Sequence, residues 1–170
     1  QMARMSGEQI QKLIEGATYL FMNEYELALA IQKTGWSDHE ILQKVKYRVI
    51  TQGSAGARVE SVNGEFIKVT CAKENAKVDP TGVGDSFRSG FVAGLSWGLS
   101  HERCAQLGSM VATYVIETMG TQEYRFTKSE FVTRFADDII TAWTAKQAKV
   151  VYQSILFPKL QKDLAGDLGM

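Results

Sequence analysis

Asp79-Pro80-Thr81-Gly82-Val83-Gly84-Asp85-Ser86-Phe87-Arg88 is the stretch that decides how this chain folds and what it could bind. It puts two glycines and then a carboxylate where a loop becomes a helix. A helix start presents unpaired backbone N–H groups and the positive end of the helix dipole, so it attracts anions. Gly82 and Gly84 carry no Cβ, which lets the main chain come close to a ligand. A carboxylate at Asp85 would repel a phosphate held there. It makes sense if it takes a proton from a hydroxyl that attacks that phosphate. The stretch therefore predicts phosphoryl transfer to an alcohol. A plain glycine-rich turn, with Asp85 merely favouring the helix dipole, explains the same residues without a ligand. Two better-known phosphate loops are excluded. No Gly-Lys-Ser/Thr follows at P-loop spacing, and Phe87 stands where a dinucleotide fingerprint needs its third glycine.

Working outward, two further motifs follow apolar runs that read as strands. Residues 17–22 form a short continuous apolar run, as in a strand buried on both faces. Asn23-Glu24-Tyr25-Glu26 comes directly after it. An Asn amide and a Glu one turn later could face a phosphate and its hydrated Mg2+. Taken alone, a helix cap at Asn23 with Glu26 on the dipole accounts for them better. Residues 47–51 read as a second buried strand, followed by Thr51-Gln52-Gly53-Ser54-Ala55-Gly56. Gly53 and Gly56 would allow a turn to approach nucleotide phosphates with the Thr51 hydroxyl as donor. A tight strand-to-strand turn is the alternative. In open α/β sheets ligands bind beyond the carboxyl ends of strands, so all three motifs are expected on one sheet edge.

The remaining pattern supplies the frame. Ser6 with Gln9, Ser37 with Glu40 and Thr127 with Glu130 predict capped helices over 6–15, 37–45 and from 127 onward. A helix over 24–33 ends at Gly35. Residues 57–62 and 65–70 flank Asn63-Gly64, which predicts a two-residue hairpin turn. Helices over 85–97 and from Ser100 to before Gly120 follow. The first carries small residues Ser89, Gly90, Ala93 and Gly94; the second carries an apolar stripe of Cys104, Leu107, Val111 and Val115. The last helix carries Phe131, Phe135, Ile139 and Trp143, and Pro158 breaks what comes after. The order predicts an α/β layered domain over 1–145 and a helical tail over 146–170.

Composition narrows the function. The chain has 170 residues, 45% hydrophobic and 22% charged, with 19 basic and 19 acidic side chains. A charge balance of zero without a Lys/Arg cluster argues against nucleic acid and against a membrane surface. No apolar run approaches the roughly 20 residues of a membrane span. Cys71 and Cys104 lack metal-ligand spacing and read as reduced thiols of a cytoplasmic protein. His39 and His101 are isolated near helix starts, which suits surface or capping roles.

Taken together, the three motifs resemble those of the ribokinase-like (PfkB) family of carbohydrate and nucleoside kinases over residues 17–125. Residues 79–87 are similar to that family's C-terminal signature, and Asn23/Glu26 and Thr51/Gly53/Gly56 match its upstream nucleotide motifs in order. Pro80 and Val83 depart from it, where Thr and Ala are common. The runs 87–91 and 120–123 resemble the actinobacterial adenosine-kinase branch. The resemblance implies a three-layer αβα, Rossmann-like sheet. It also implies ATP-dependent transfer to the hydroxymethyl group of a sugar or nucleoside. Asp85 would be the general base, with an anion hole formed by the N–H groups of Val83, Gly84 and Asp85 and shaped by Gly82. Asn23 and Glu26 would hold phosphate and Mg2+ water. Thr51, Gly53 and Gly56 would line ATP, and Ser109, Ala112 and Val115 would pass the adenine. Asp79 and Thr81 would help to hold a monovalent cation such as K+.

The family's N-terminal acceptor-binding segment, β lid and further strands have no counterpart here. The expectation is therefore the C-terminal, nucleotide-binding half of such a kinase. Its partners would be a small-molecule acceptor and either a second copy or a complementary N-terminal half. A truncated nucleotide-binding fragment without turnover is the competing expectation.

Overall fold

The structure, a computed structural model, describes residues 2–142. It divides into two compact units, one up to Tyr124 and one from Arg125 onward. The first holds a four-stranded sheet in the order β1 (Tyr19–Asn23), β2 (Tyr47–Thr51), β3 (Ala57–Ser61), β4 (Phe66–Val69). β1 and β2 are parallel, whereas β2–β3 and β3–β4 are antiparallel. A parallel neighbour needs a crossover, and α1 (Gly7–Ile14), α2 (Glu24–Thr34) and α3 (Asp38–Gln43) cluster on the face that this crossover covers. α4 (Val83–Ser96) and α5 (His101–Ile116) cover the opposite face. The unit is thus a three-layer αβα sandwich.

Strand alternation sorts the core between the two faces. Leu20, Met22 and Ile50 pack with Ile10, Ile14, Leu27 and Ile41 on the α1–α3 side. Tyr19, Phe21, Val49 and Val59 pack with Phe87, Phe91 and Cys104 on the α4–α5 side. The Tyr19 and Tyr47 rings stack across the parallel pair at 4.9 Å. Phe91 meets Phe21 edge-on at 5.2 Å. β1 is only half-buried, against the expectation of a strand covered on both faces, because it forms the edge of this sheet.

Helix ends follow the local signals. Ser6, Asn23 and Ser37 each close a reciprocal capping box, and Gly35 ends α2 in the left-handed conformation at φ 73°. α4 begins two residues earlier than expected, at Val83 with Gly82 as N-cap. The hairpin reversal also differs. The Ser61 N–H donates to the Glu65 carbonyl and the Gly64 N–H to the Ser61 carbonyl, so three residues turn the chain rather than two. Asn-Gly suits that geometry as well, with Gly64 taking the left-handed position of a bulge.

α4 and α5 cross almost backbone to backbone. A Cβ at Gly90 would lie 2.8 Å from the Gly108 Cα, one at Gly94 2.9 Å from the Cys104 Sγ, and one at Gly108 2.6 Å from the Phe87 carbonyl oxygen. Burial holds the Cys104 thiol up, at about 11, so it behaves as a small apolar core group.

In the second unit α6 (Lys128–Ala142) starts at Thr127, whose hydroxyl and N–H both engage Glu130. Phe131 packs on Phe126 at 5.0 Å and on Phe135 at 6.0 Å. The expectations for Trp143, Pro158, the 145/146 boundary and the 146–170 tail lie outside the described residues.

The helix crossing generates a prediction. Gly90→Ala should lower unfolding stability by about 1–3 kcal/mol in a denaturant titration, the usual cost of overpacking. Val92→Ala on the exposed side of the same helix should change it by less than about 0.5 kcal/mol.

Candidate functional site

The parallel register puts Asn23 directly beside Thr51, so the start of α2 and the turn after β2 leave the same sheet edge as neighbours. Gln52 Nε2 donates to Glu24 Oε1 at 2.8 Å and ties the turn after β2 to the start of α2. Asn23 Oδ1 accepts the Glu26 N–H at 2.7 Å, and Glu26 Oε2 accepts the Asn23 N–H at 2.9 Å. The capping role expected of this pair as an alternative is therefore present. Glu26 Oε1 takes no hydrogen bond among the described residues.

The turn after β2 is a 3-10 turn, Gly53–Ala55. Gly56 sits at φ 94°, and a Cβ there would fall 2.0 Å from the Val69 carbonyl oxygen, so only glycine suits the close approach of β4's end. Cys71 Sγ donates to the Gly53 carbonyl at 3.0 Å, and burial pushes that thiol above its ordinary value. Thr51 Oγ1 makes only a long 3.5 Å contact with the Met22 carbonyl.

Ser109 and Ala112 stand behind this turn rather than open to a ligand. The Ser109 hydroxyl accepts the Ala72 N–H at 2.8 Å, which holds the 69–72 segment against α5. Ala112 is buried and Val115 is 0% exposed, so Val115 presents no surface to an adenine in this structure.

The glycine-rich turn is built by Asp79. Its Oδ1 accepts the Thr81 N–H at 2.9 Å and its Oδ2 the Gly120 N–H at 3.0 Å. The Thr81 hydroxyl, the Thr81 N–H and the Gly120 N–H together hold this carboxyl below its ordinary value. Gly82 then takes φ 81°, and a Cβ there would lie 2.9 Å from Thr121 Cγ2. Gly82 offers no side-chain cap, so α4 starts with open amides. The Val83 N–H bends back to the Pro80 carbonyl at 3.4 Å, which corrects the expectation that it is fully available. The N–H groups of Gly84 and Asp85 meet no acceptor among the described residues. Nothing lies within 4 Å of where a Gly84 Cβ would be.

Asp85 occupies the first turn of α4 with its carboxylate 84% exposed. Arg88, one turn on, reaches Asp85 Oδ1 at 3.3 Å and Glu26 Oε2 at 3.7 Å. The third motif is thereby joined to the first. This arginine had no role assigned from sequence; only its i, i+3 spacing from Asp85 could have pointed to it.

His101 is not isolated, as its sequence context suggested. Its Nε2 lies 3.0 Å from the Tyr19 hydroxyl, its Nδ1 3.0 Å from Glu65 Oε2, and its ring 4.3 Å from that of Tyr47. Tyr19 and Tyr47 open β1 and β2, so this cluster lies at the strand ends opposite the three loops.

Two predictions follow from the turn. Gly82→Ala forces a left-handed alanine and should cost about 1–2 kcal/mol in stability, whereas Gly84→Ala should leave stability within about 0.5 kcal/mol. Chemical unfolding of both variants checks this. Asp79, whose carboxyl is depressed on folding, contributes stability above its ordinary value of 3.8 and loses it as pH falls through the folded value. Asp79→Asn should therefore be less stable than the parent near pH 7, and the two unfolding curves should converge below the ordinary carboxylate range.

Comparison with known proteins agrees with this architecture. A nucleoside kinase of Methanocaldococcus jannaschii is 32% identical over 117 residues, which covers 69% of this chain and 38% of that protein. The ribokinase of Bacillus subtilis is 29% identical over 120 residues, 71% of this chain and 40% of that protein. Among solved structures, Burkholderia thailandensis nucleoside kinase in complex with inosine superposes with a TM-score of 0.77 at 33% identity. The match covers 81% of this chain and 46% of that one. The chain thus spans less than half the length of these relatives. The model of the pfkB family carbohydrate kinases matches residues 2–127, and the chain belongs to that family.

Proposed function

We propose that this chain supplies the nucleotide side and the general base of an ATP-dependent kinase acting on the hydroxymethyl group of a nucleoside or sugar. The observation that carries the proposal is the uncapped start of α4. Two amides without acceptors among the described residues, those of Gly84 and Asp85, adjoin an exposed carboxylate, and Arg88 links that turn to the first turn of α2. The nucleoside kinases among the relatives favour a nucleoside acceptor.

ATP would supply the transferable phosphoryl group and Mg2+ would neutralise its charge. The Gly84 and Asp85 amides would donate to oxygens of the transferring group, aided by the helix dipole. Asp85 would accept the proton of the attacking hydroxyl. Asn23, Thr51, Gly53 and Gly56 would line the phosphates, with Ser109 and Ala112 backing that wall. Among the described residues no group of three or more His, Cys, Asp or Glu could cage a metal. Mg2+ would then arrive bound to phosphate and keep its waters, one of them facing Glu26. Asp79 and Thr81 would help to hold a monovalent cation, Asp79 with the lone pairs that its two amide contacts leave.

No helix among the described residues is long and apolar enough to cross a membrane; the enzyme proposed here is a cytoplasmic one. The half-buried β1 edge is where a complementary half or second copy would add its strand. A second reading is nucleotide binding without turnover, in which the same open amides hold phosphate but no acceptor is deprotonated.

The two readings separate in one experiment. Calorimetric titration with Mg-ATP is paired with a turnover assay on adenosine, inosine and ribose. Binding with turnover supports the kinase. Asp85→Asn should then lower kcat by about 10²–10⁴, with Mg-ATP affinity little changed. Binding without turnover supports the fragment, and no binding removes both. Gly84→Ala, harmless to folding, should weaken Mg-ATP binding about tenfold or more if the main chain touches phosphate there.

A further inference from the structure

We infer that Arg88 is a positioning residue of the site. It holds the Asp85 carboxylate in one orientation and couples it to Glu26 on a different element. This inference rests on Asp85 being the base.

Asp85 needs such a device. Its side chain is 84% exposed and, among the described residues, only Arg88 restrains its rotamer. A base must present one oxygen to the hydroxyl it deprotonates, within hydrogen-bond reach. The Arg88 guanidinium contacts Oδ1, which leaves Oδ2 free for an acceptor. Its second terminal nitrogen reaches Glu26 Oε2, the oxygen that closes the Asn23 cap. One planar, always-charged fork therefore bridges α4 and the start of α2. Lysine, a point charge on a flexible stem, would satisfy one carboxylate but not hold both.

Charge gives the bridge a second purpose. Asp85 and Glu26 put two negative groups beside the place where phosphate would bind. Arg88 offsets part of that charge without occupying the α4 amides. It is itself 43% exposed, so it belongs to no core, and replacing it should leave the fold intact. Exposed ion pairs contribute little to stability. The expected consequence of losing Arg88 is therefore a loss of rate, not of structure.

The test compares Arg88→Gln, Arg88→Lys, Asp85→Asn and the Arg88→Gln/Asp85→Asn double variant. Labelled γ-phosphate transfer from Mg-ATP to inosine or ribose is followed for hours, so that residual rates are measurable. Calorimetric Mg-ATP affinity and thermal unfolding accompany it. Arg88→Gln should lower kcat about 10–30-fold, with acceptor KM, Mg-ATP affinity and melting temperature nearly unchanged, and Arg88→Lys should recover only part of it. In the Asp85→Asn background the same substitution should cost less than about threefold, because its effect runs through that carboxylate.

Equal losses in both backgrounds would overturn the inference. So would an unchanged kcat in Arg88→Gln while Asp85→Asn is crippled, which leaves the kinase reading standing. Full turnover in Asp85→Asn removes the base assignment and this inference with it. A readout independent of turnover is the arginine side-chain NMR signal of Arg88. Rotation about its Nε–Cζ bond should be slow in the parent and fast in the Asp85→Asn/Glu26→Gln double variant. Free rotation in the parent would mean that the bridge is an ordinary surface contact.

Discussion

The near-touching of α4 and α5 is the constraint on which the rest of the unit depends. With Gly90 and Gly108 as facing residues, the two backbones approach to a distance that any Cβ would violate. That contact fixes the axis of α4, and the axis fixes where its first amides point. α5 in turn is held by the sheet on one side and by the Ser109–Ala72 hydrogen bond at the 69–72 segment. A one-residue change in the glycine pair would tilt α4 and carry the Gly82–Asp85 turn with it.

The sheet contributes the second half of the geometry. Parallel pairing of β1 and β2 brings Asn23 next to Thr51, and a Gln52–Glu24 hydrogen bond ties the turn after β2 to the start of α2. Asp79 does the same for the glycine-rich turn by accepting amides from Thr81 and Gly120, residues from two separate loops. Each loop is thus pinned by a local polar contact, and Arg88 spans the gap between two of them. The arrangement is open to solvent, as Asp85 shows.

Much of the fold was legible because its signals are local. Ser6/Gln9, Asn23/Glu26 and Ser37/Glu40 close their capping boxes within four residues, so the sequence carries the whole interaction. The apolar stretch of β2 gave its bounds directly. What stayed hidden depends on distant residues. His101 looks isolated in the chain because Tyr19, Tyr47 and Glu65 come to it only through the fold. The family resemblance put Ser109 and Val115 beside an adenine; in the fold Val115 is buried and the Ser109 hydroxyl accepts the Ala72 N–H. The three site motifs were legible as spacing. Their linkage was not, since Glu26 and Arg88 belong to separate elements.

Arg48 shows how such a sheet avoids a mistake in assembly. It lies in the middle of the core at 1% exposure, directly opposite Glu60 on β3, with both terminal nitrogens of its guanidinium on the Asp38 carboxylate. Neighbouring Val49 and Ile50 are apolar and could exchange faces with little protest. Arg48 cannot, because sliding β2 by one position would turn its charge towards the Phe87–Phe91 face and away from Asp38 and Glu60. One ionic side chain in an oily strand thereby acts as a key that admits a single alignment, and the juxtaposition of Asn23 with Thr51 is inherited from that choice.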